Sequence, residues 1–180
     1  MRKIALVLGL SLAAMAGGAL AQPAPQITVG VGSELSKKTE NLGRREVDGL
    51  RQDLGDEIGR ALSRNPGIVR ADLVIEDAQP NRPTFDQLSR TTGLSMRSIG
   101  VGGARISGTI TMADGSVRPV RYQWYETDLR EERAASTWTD ADRAFGYLAD
   151  ELRHGRAPDR YSGPGPSNPN AHFGYPYTGE

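Results

Sequence analysis

The sequence predicts an α+β fold: a single antiparallel or mixed sheet of about four strands with two long helices packed on one face. Three observations predict it. Stretches around Ile27, Leu73 and Ile106 place apolar residues at every second position, the period of a half-buried strand. Two longer segments, from Arg44 and from Thr139, repeat their apolar residues every three to four positions. An Asp114-Gly115 pair lies between two alternating runs, which is a hairpin signal. Strands, helix, strands and helix interleave without a regular βαβ repeat, and this order suits one sheet covered by helices.

Ile27, Val29 and Val31 alternate with Thr28, Gly30 and Gly32, giving the first strand. Ser33 to Asn41 is polar and is expected to be a loop. In the helix from Arg44 to Arg64, Val47, Leu50, Leu54, Ile58, Ala61 and Leu62 fill one stripe, and Asn65-Pro66-Gly67 stops it. Gly55 and Gly59 flank that stripe, and each disfavours a helix by about 1 kcal/mol relative to Ala. Close approach to a sheet or a second helix is the expected compensation. Val69, Ala71, Leu73 and Ile75 form the apolar side of a second strand. After the loop at Gln79–Pro83, Thr84 and Gln87 have capping-box spacing and start a short helix over Phe85–Thr91.

The hairpin spans Ala104–Met112 and Val117–Tyr125. Its register follows from burial. A two-residue Asp-Gly loop would put Ile106 opposite Gln123 and send the two apolar sets to opposite faces. A three-residue loop, Ala113-Asp114-Gly115, puts Ile106 opposite Tyr122, Gly108 opposite Val120 and Ala104 opposite Trp124. That register is expected. It leaves Arg105, Ser107, Thr109, Thr111, Arg121, Gln123 and Tyr125 on the other face.

The last helix runs from Thr139 to His154, with Thr139 and Asp142 at capping-box spacing and Ala141, Phe145, Leu148 and Leu152 buried. The predicted core is Ile27, Val29, Val47, Leu50, Leu54, Ile58, Leu73, Ile75, Ile106, Ile110, Val120, Tyr122, Phe145, Leu148 and Leu152. From Pro158 to Glu180, 9 of 23 residues are Gly or Pro, so this tail is expected to be disordered.

Residues 1–21 read as an address. A basic Met1-Arg2-Lys3 precedes an apolar run from Ile4 to Ala16, and Ala19-Leu20-Ala21 has the small-x-small spacing of a signal-peptidase site. The apolar run thins into Gly17-Gly18 before reaching the ~20 residues of a membrane span. The expected organisation is a signal peptide at 1–21, a linker at 22–26, an α+β domain at 27–157 and a Gly/Pro-rich tail at 158–180. Cleavage after Ala21 removes Arg2 and Lys3 and leaves 20 basic and 22 acidic residues, a net charge of −2. No stable membrane anchor is expected after cleavage, and the expected location is periplasmic or secreted. Near-neutrality argues against nonspecific nucleic-acid binding. With no cysteine there is no disulfide, no thiolate metal site and no lipidation site.

Candidate chemistry is sparse. Glu151-x-x-His154 has di-metal spacing, but such bundles need two of these motifs and further carboxylates. His172 stands alone in the tail. A Ser-His-acid triad needs a rigidly held histidine, and no Gly-x-Ser-x-Gly is present. Asp140 and Asp142 at a helix start read as capping residues. Gly100-Val101-Gly102-Gly103 precedes a strand, whereas a phosphate-cradling loop leaves a strand and opens a helix. No catalytic residue, cofactor or metal is therefore assigned. Arg105, Thr109, Arg121, Gln123 and Tyr125 are taken as an interaction face, since Arg and Tyr are enriched at binding hot spots. Trp138 is expected to lock the start of the last helix.

Four stretches are similar to small exported proteobacterial proteins of unknown function: Arg82-Pro83-Thr84-Phe85-Asp86-Gln87-Leu88, Gly102-Gly103-Ala104, Tyr122-Gln123-Trp124-Tyr125-Glu126 and Ser136-Thr137-Trp138-Thr139-Asp140-Ala141. The layout over residues 27–154 also resembles the α/β envelope domain at the N-terminus of TolB and in assembly lipoproteins. The resemblance implies a periplasmic, non-enzymatic protein of a Gram-negative cell, and it carries over no functional residue. The expected function is a soluble periplasmic binding or scaffold module with an envelope protein partner. The alternative is a small envelope hydrolase.

Overall fold

The structure, a computed structural model, describes residues 24–166. The expected signal segment and His172 lie outside the described residues. The sheet has four strands in the order β1-β2-β3-β4: β1 (Gln26–Val31), β2 (Ile68–Gln79), β3 (Gly103–Met112) and β4 (Val117–Tyr125). β1 runs parallel to β2, and β2, β3 and β4 form an antiparallel meander. The sheet is therefore mixed, and the α+β class holds.

The hairpin takes the three-residue loop. Ile106 pairs with Tyr122, Gly108 with Val120 and Ala104 with Trp124. Met112 N–H donates to the Ser116 carbonyl at 2.8 Å, and Gly115 turns the chain at φ 84°. That left-handed conformation suits glycine.

Register then carries one apolar face across the sheet. Ile27, Val29 and Val31 lie beside Ala71, Leu73 and Ile75, which lie beside Ile110, Gly108 and Ile106. Helices α2 (Arg44–Leu62) and α4 (Thr139–Arg153) cover this face, α2 along β1 and α4 across β3 and β4, and they pack against each other. Every predicted core residue joins one apolar cluster, with Ile27, Val29 and Tyr122 at its partly buried rim. Gly55 and Gly59 face β1 as expected. A methyl placed there would lie 3.8 Å from Val29 Cγ2 and 3.4 Å from Ile27 Cδ1.

Four expectations need correction. The stretch read as a loop after β1 is a helix, α1 (Ser33–Leu42). Its only buried residues, Leu35 and Leu42, are seven apart, too sparse for a visible stripe. In β2, register shifts near Val69 and Glu76 change which side chains face inward, so Ile68 is buried and Val69 is exposed. The box at Thr139 does not form. Thr139 Oγ1 accepts from the Ser136 N–H at 2.8 Å, while the Asp142 N–H donates to the Trp138 carbonyl. The first residues of the tail lie against β4, a place the sequence did not show: Arg121 N–H donates to the Pro158 carbonyl at 2.7 Å, and Asp159 forms a parallel β-bridge with Arg121. Free main-chain groups on the outer edge of β4 supply those bonds, which a composition-based reading does not see. The other box, at Thr84 and Gln87, forms and starts α3 (Phe85–Arg90).

Candidate functional site

The face of the sheet opposite α2 and α4 is polar. On its open part lie Thr28, Arg70, Thr109 and Arg121, all exposed. Strand alternation puts them there, because their neighbours Ala71, Ile110 and Val120 are in the core. Arg70 grips Asp72 with two hydrogen bonds, 2.6 and 2.8 Å, and Nη1 also donates to Gln26 Oε1 at 3.2 Å. The guanidinium holds the Asp72 carboxyl below the usual carboxylate range. Ser107 Oγ donates to Glu76 Oε1 at 2.5 Å, so β3 and β2 are also tied on this face.

The five residues expected to form an interaction face have different fates. Thr109 and Arg121 are exposed. Arg105 is half-buried, its guanidinium 5.9 Å from the ring of Tyr161. Gln123 is half-buried and donates through Nε2 to the Gly163 carbonyl at 3.1 Å. Tyr125 is buried, which corrects its place in the exposed face. Its hydroxyl donates to Asp77 Oδ2 at 3.2 Å, and Lys38 of α1 donates to the other oxygen of Asp77 at 2.5 Å. Burial and the adjacent Asp77 charge push the Tyr125 hydroxyl well above its usual range. The unforeseen helix α1 closes this end of the face and leaves open the end that holds Thr28, Arg70, Thr109 and Arg121.

Beyond the C-terminal end of β2 lies a cluster that sequence reasoning missed. Asn81, Glu132 and Asp140 are each fully buried. Glu132 belongs to a short 3-10 helix, Leu129–Ala134, and Asp140 to the first turn of α4. Asn81 Nδ2 donates to Glu132 Oε2 at 2.6 Å and to Asp140 Oδ2 at 2.5 Å, and Asn81 Oδ1 accepts from the Asp140 N–H at 3.0 Å. Asp140 Oδ2 also accepts from Gly102 N–H at 3.0 Å. A side chain at Gly102 would collide with Asn81 Oδ1 and the Gln79 carbonyl, so the glycine run serves close packing here. Arg143 faces the two carboxyl groups: its Nη1 lies 2.8 Å from Asp140 Oδ1 and 3.7 Å from Glu132 Oε1. Glu132 Oε1 has no hydrogen-bond partner among the described residues. Burial, then repulsion and hydrogen bonding with Asp140, push the Glu132 carboxyl up to about 7. Glu132 therefore keeps its proton below about pH 7 and loses it above.

The remaining sequence candidates are occupied structurally. Glu151 accepts from Arg156 Nε at 2.5 Å, and His154 Nδ1 lies 2.8 Å from the Asp150 carbonyl. Among the described residues no group of three or more His, Asp or Glu is placed to hold a metal ion. Asp142 points away from Asp140, towards Asp53 and Glu57 of α2. Partial loss of water there, with the charges of Asp53 and Glu57, pushes its carboxyl up to about 6. Trp138 Nε1 donates to Glu46 Oε2 at 2.7 Å and so ties the start of α4 to the start of α2. No described helix is long and apolar enough to cross a membrane.

Nothing matches the chain in comparisons with protein families, curated proteins and solved structures.

Proposed function

We propose that the chain is exported and acts as a binding or scaffold module of the bacterial envelope, with the open polar face of its sheet as the contact surface for a protein partner. One observation carries this reading. Both long helices lie on one face of the sheet, while Thr28, Arg70, Thr109 and Arg121 stand exposed on the other. A sheet face holding two guanidinium groups beside polar side chains suits recognition by hydrogen bonds and charge. The signal-like residues 1–21 and the resemblance to small exported proteobacterial proteins support an envelope location. The hydrolase alternative requires acid–base groups that a substrate can reach. The carboxyl pair at Glu132 and Asp140 is the nearest to such chemistry, and both residues are fully buried.

Affinity capture from envelope extract tests the proposal, with the wild-type chain and the Arg105→Ala/Arg121→Ala variant as baits. The variant is expected to keep its circular dichroism spectrum and to lose a partner that the wild type holds, a loss that raised salt reproduces. A folded variant that captures every partner at wild-type level removes the proposed face. N-terminal sequencing of protein from the periplasmic fraction is expected to start at Gln22; protein beginning at Met1 argues against export.

A further inference from the structure

The outer edge of β4 is not left open. Pro119, which has no N–H, blunts one end, as proline does on many edge strands. Beyond it the chain's own segment Pro158–Gly163 lies against the strand. The Arg121 N–H donates to the Pro158 carbonyl at 2.7 Å, and Arg121 and Asp159 form a parallel bridge. Gln123 Nε2 donates to the Gly163 carbonyl at 3.1 Å. Between these points the Tyr161 ring sits 5.9 Å from the Arg105 guanidinium.

These contacts define a chemistry. The edge supplies a main-chain donor, Gln123 a side-chain donor and Arg105 a cation for an aromatic face. The occupant supplies two main-chain carbonyls and one ring. Any extended peptide with that spacing can meet these demands, which is how strand addition recognises its ligands. Covering an edge requires main-chain bonds alone. Here side chains from β3 and β4 also engage the occupant, which adds selectivity. Tyr161 stays 40% exposed, so the seat is shallow and its occupant is replaceable.

We infer that this groove recognises an extended, tyrosine-bearing peptide segment of a partner protein, and that Pro158–Gly163 occupies it in cis and competes with that partner. The inference rests on the reading of the sheet face as an interaction surface and names the class of ligand. A tethered occupant acts at an effective concentration on the order of millimolar. A free peptide of about 100 µM intrinsic affinity is then held off roughly tenfold.

The test uses the full chain and a fluorescein-labelled peptide with the sequence of residues 157–166, followed by fluorescence anisotropy. The Tyr161→Ala chain, its fold checked by circular dichroism, is expected to bind this peptide about four- to tenfold more tightly than the wild-type chain does. A peptide with Ala in place of its Tyr is expected to bind at least fivefold more weakly, and so is the original peptide to an Arg105→Ala/Tyr161→Ala chain. Failure of the folded Tyr161→Ala chain to bind, or equal binding of the Tyr and Ala peptides, overturns the inference. Tail exchange between wild-type copies, seen as a dimer by light scattering, also overturns it, because the occupant is then a second copy. These outcomes separate from those of the capture experiment. Capture that depends on Arg105 and Arg121 without peptide binding removes only the groove, and peptide binding together with capture left unchanged by Arg121→Ala alone, whose main-chain N–H still serves the groove, removes only the open face.

Discussion

Replacing Glu132 by Gln should change how stability depends on pH. In the folded chain the Glu132 carboxyl titrates at about 7, against 4.5 for a free glutamate. The folded chain thus keeps a proton that the unfolded chain releases between those values. The resulting stabilisation is complete below pH about 4.5, is lost as pH rises towards 7, and is absent above it. A shift from 4.5 to about 7 corresponds to roughly 3 kcal/mol at most, since each tenfold change in proton affinity is about 1.4 kcal/mol. Relaxation around the half-exposed Arg143 reduces that ceiling. Gln keeps the size of the side chain and an acceptor for Asn81, and it cannot ionise. Near pH 4.5 the variant and the wild type should melt within a few degrees of each other. At pH 8 the variant should be more stable by about 1–3 kcal/mol, or roughly 3–10 °C in Tm for a domain of this size. Asp142, raised to about 6 but exposed to screening solvent, adds a shallow slope of the same sign to both proteins. Thermal melts at half-unit steps from pH 4.5 to 8 decide the matter. A Tm difference between the two proteins that does not change with pH would refute the shared-proton reasoning.

Leu54→Ala should destabilise the domain by about 2–5 kcal/mol, because Leu54 is fully buried in the stripe of α2; an unchanged urea midpoint would contradict that placement. Gly55→Ala should be neutral or stabilising by up to about 1 kcal/mol, since a methyl there meets Val29 Cγ2 at an ordinary 3.8 Å and the helix favours Ala; chemical denaturation checks the sign. Gly108→Ala should have the opposite effect and cost about 2–4 kcal/mol, because φ is 149° and a methyl would lie 2.1 Å from the Asp72 carbonyl oxygen of the neighbouring strand; a wild-type melt would exclude the close approach of β2 and β3 at this point.

The parts of the fold legible in the sequence are those where one local period decides the outcome. The six apolar residues of α2 leave only one face to bury, and a slip of one residue in the hairpin would have exposed Ile106 or Tyr122. Helix α1 was not legible because Leu35 and Leu42 are its only apolar anchors, and what they pack on lies elsewhere in the chain. The seat of Pro158–Gly163 was hidden for the same reason. Gly and Pro content describes what a segment can bury by itself, not what an open strand edge can offer it. Most of the candidate face was legible: alternation put Arg105, Thr109, Arg121 and Gln123 on the side of the sheet away from α2 and α4, and it missed the burial of Tyr125 beneath bonds to Asp77. The carboxyl pair left no trace. Asn81, Glu132 and Asp140 sit in three polar stretches, and only tertiary structure brings them within one hydrogen bond of each other.

The mixed character of the sheet has a consequence for how the chain assembles. The β3–β4 hairpin closes through a three-residue turn, so its pairings can zip early, and the nearest β2–β3 pair, Gln79 with Gly103, closes a shorter loop than β1 does. β1 pairs with β2 only across a 44-residue separation, Gln26 to Arg70, that contains two helices. Closing that loop is entropically dear until α2 has formed and offers its apolar stripe to Ile27 and Val29. β1 is therefore expected to be the last strand to gain protection against amide exchange during refolding and the first to lose it under mild denaturant. The N-terminal strand, first to emerge in synthesis, waits for the rest of the domain before it has a place to go.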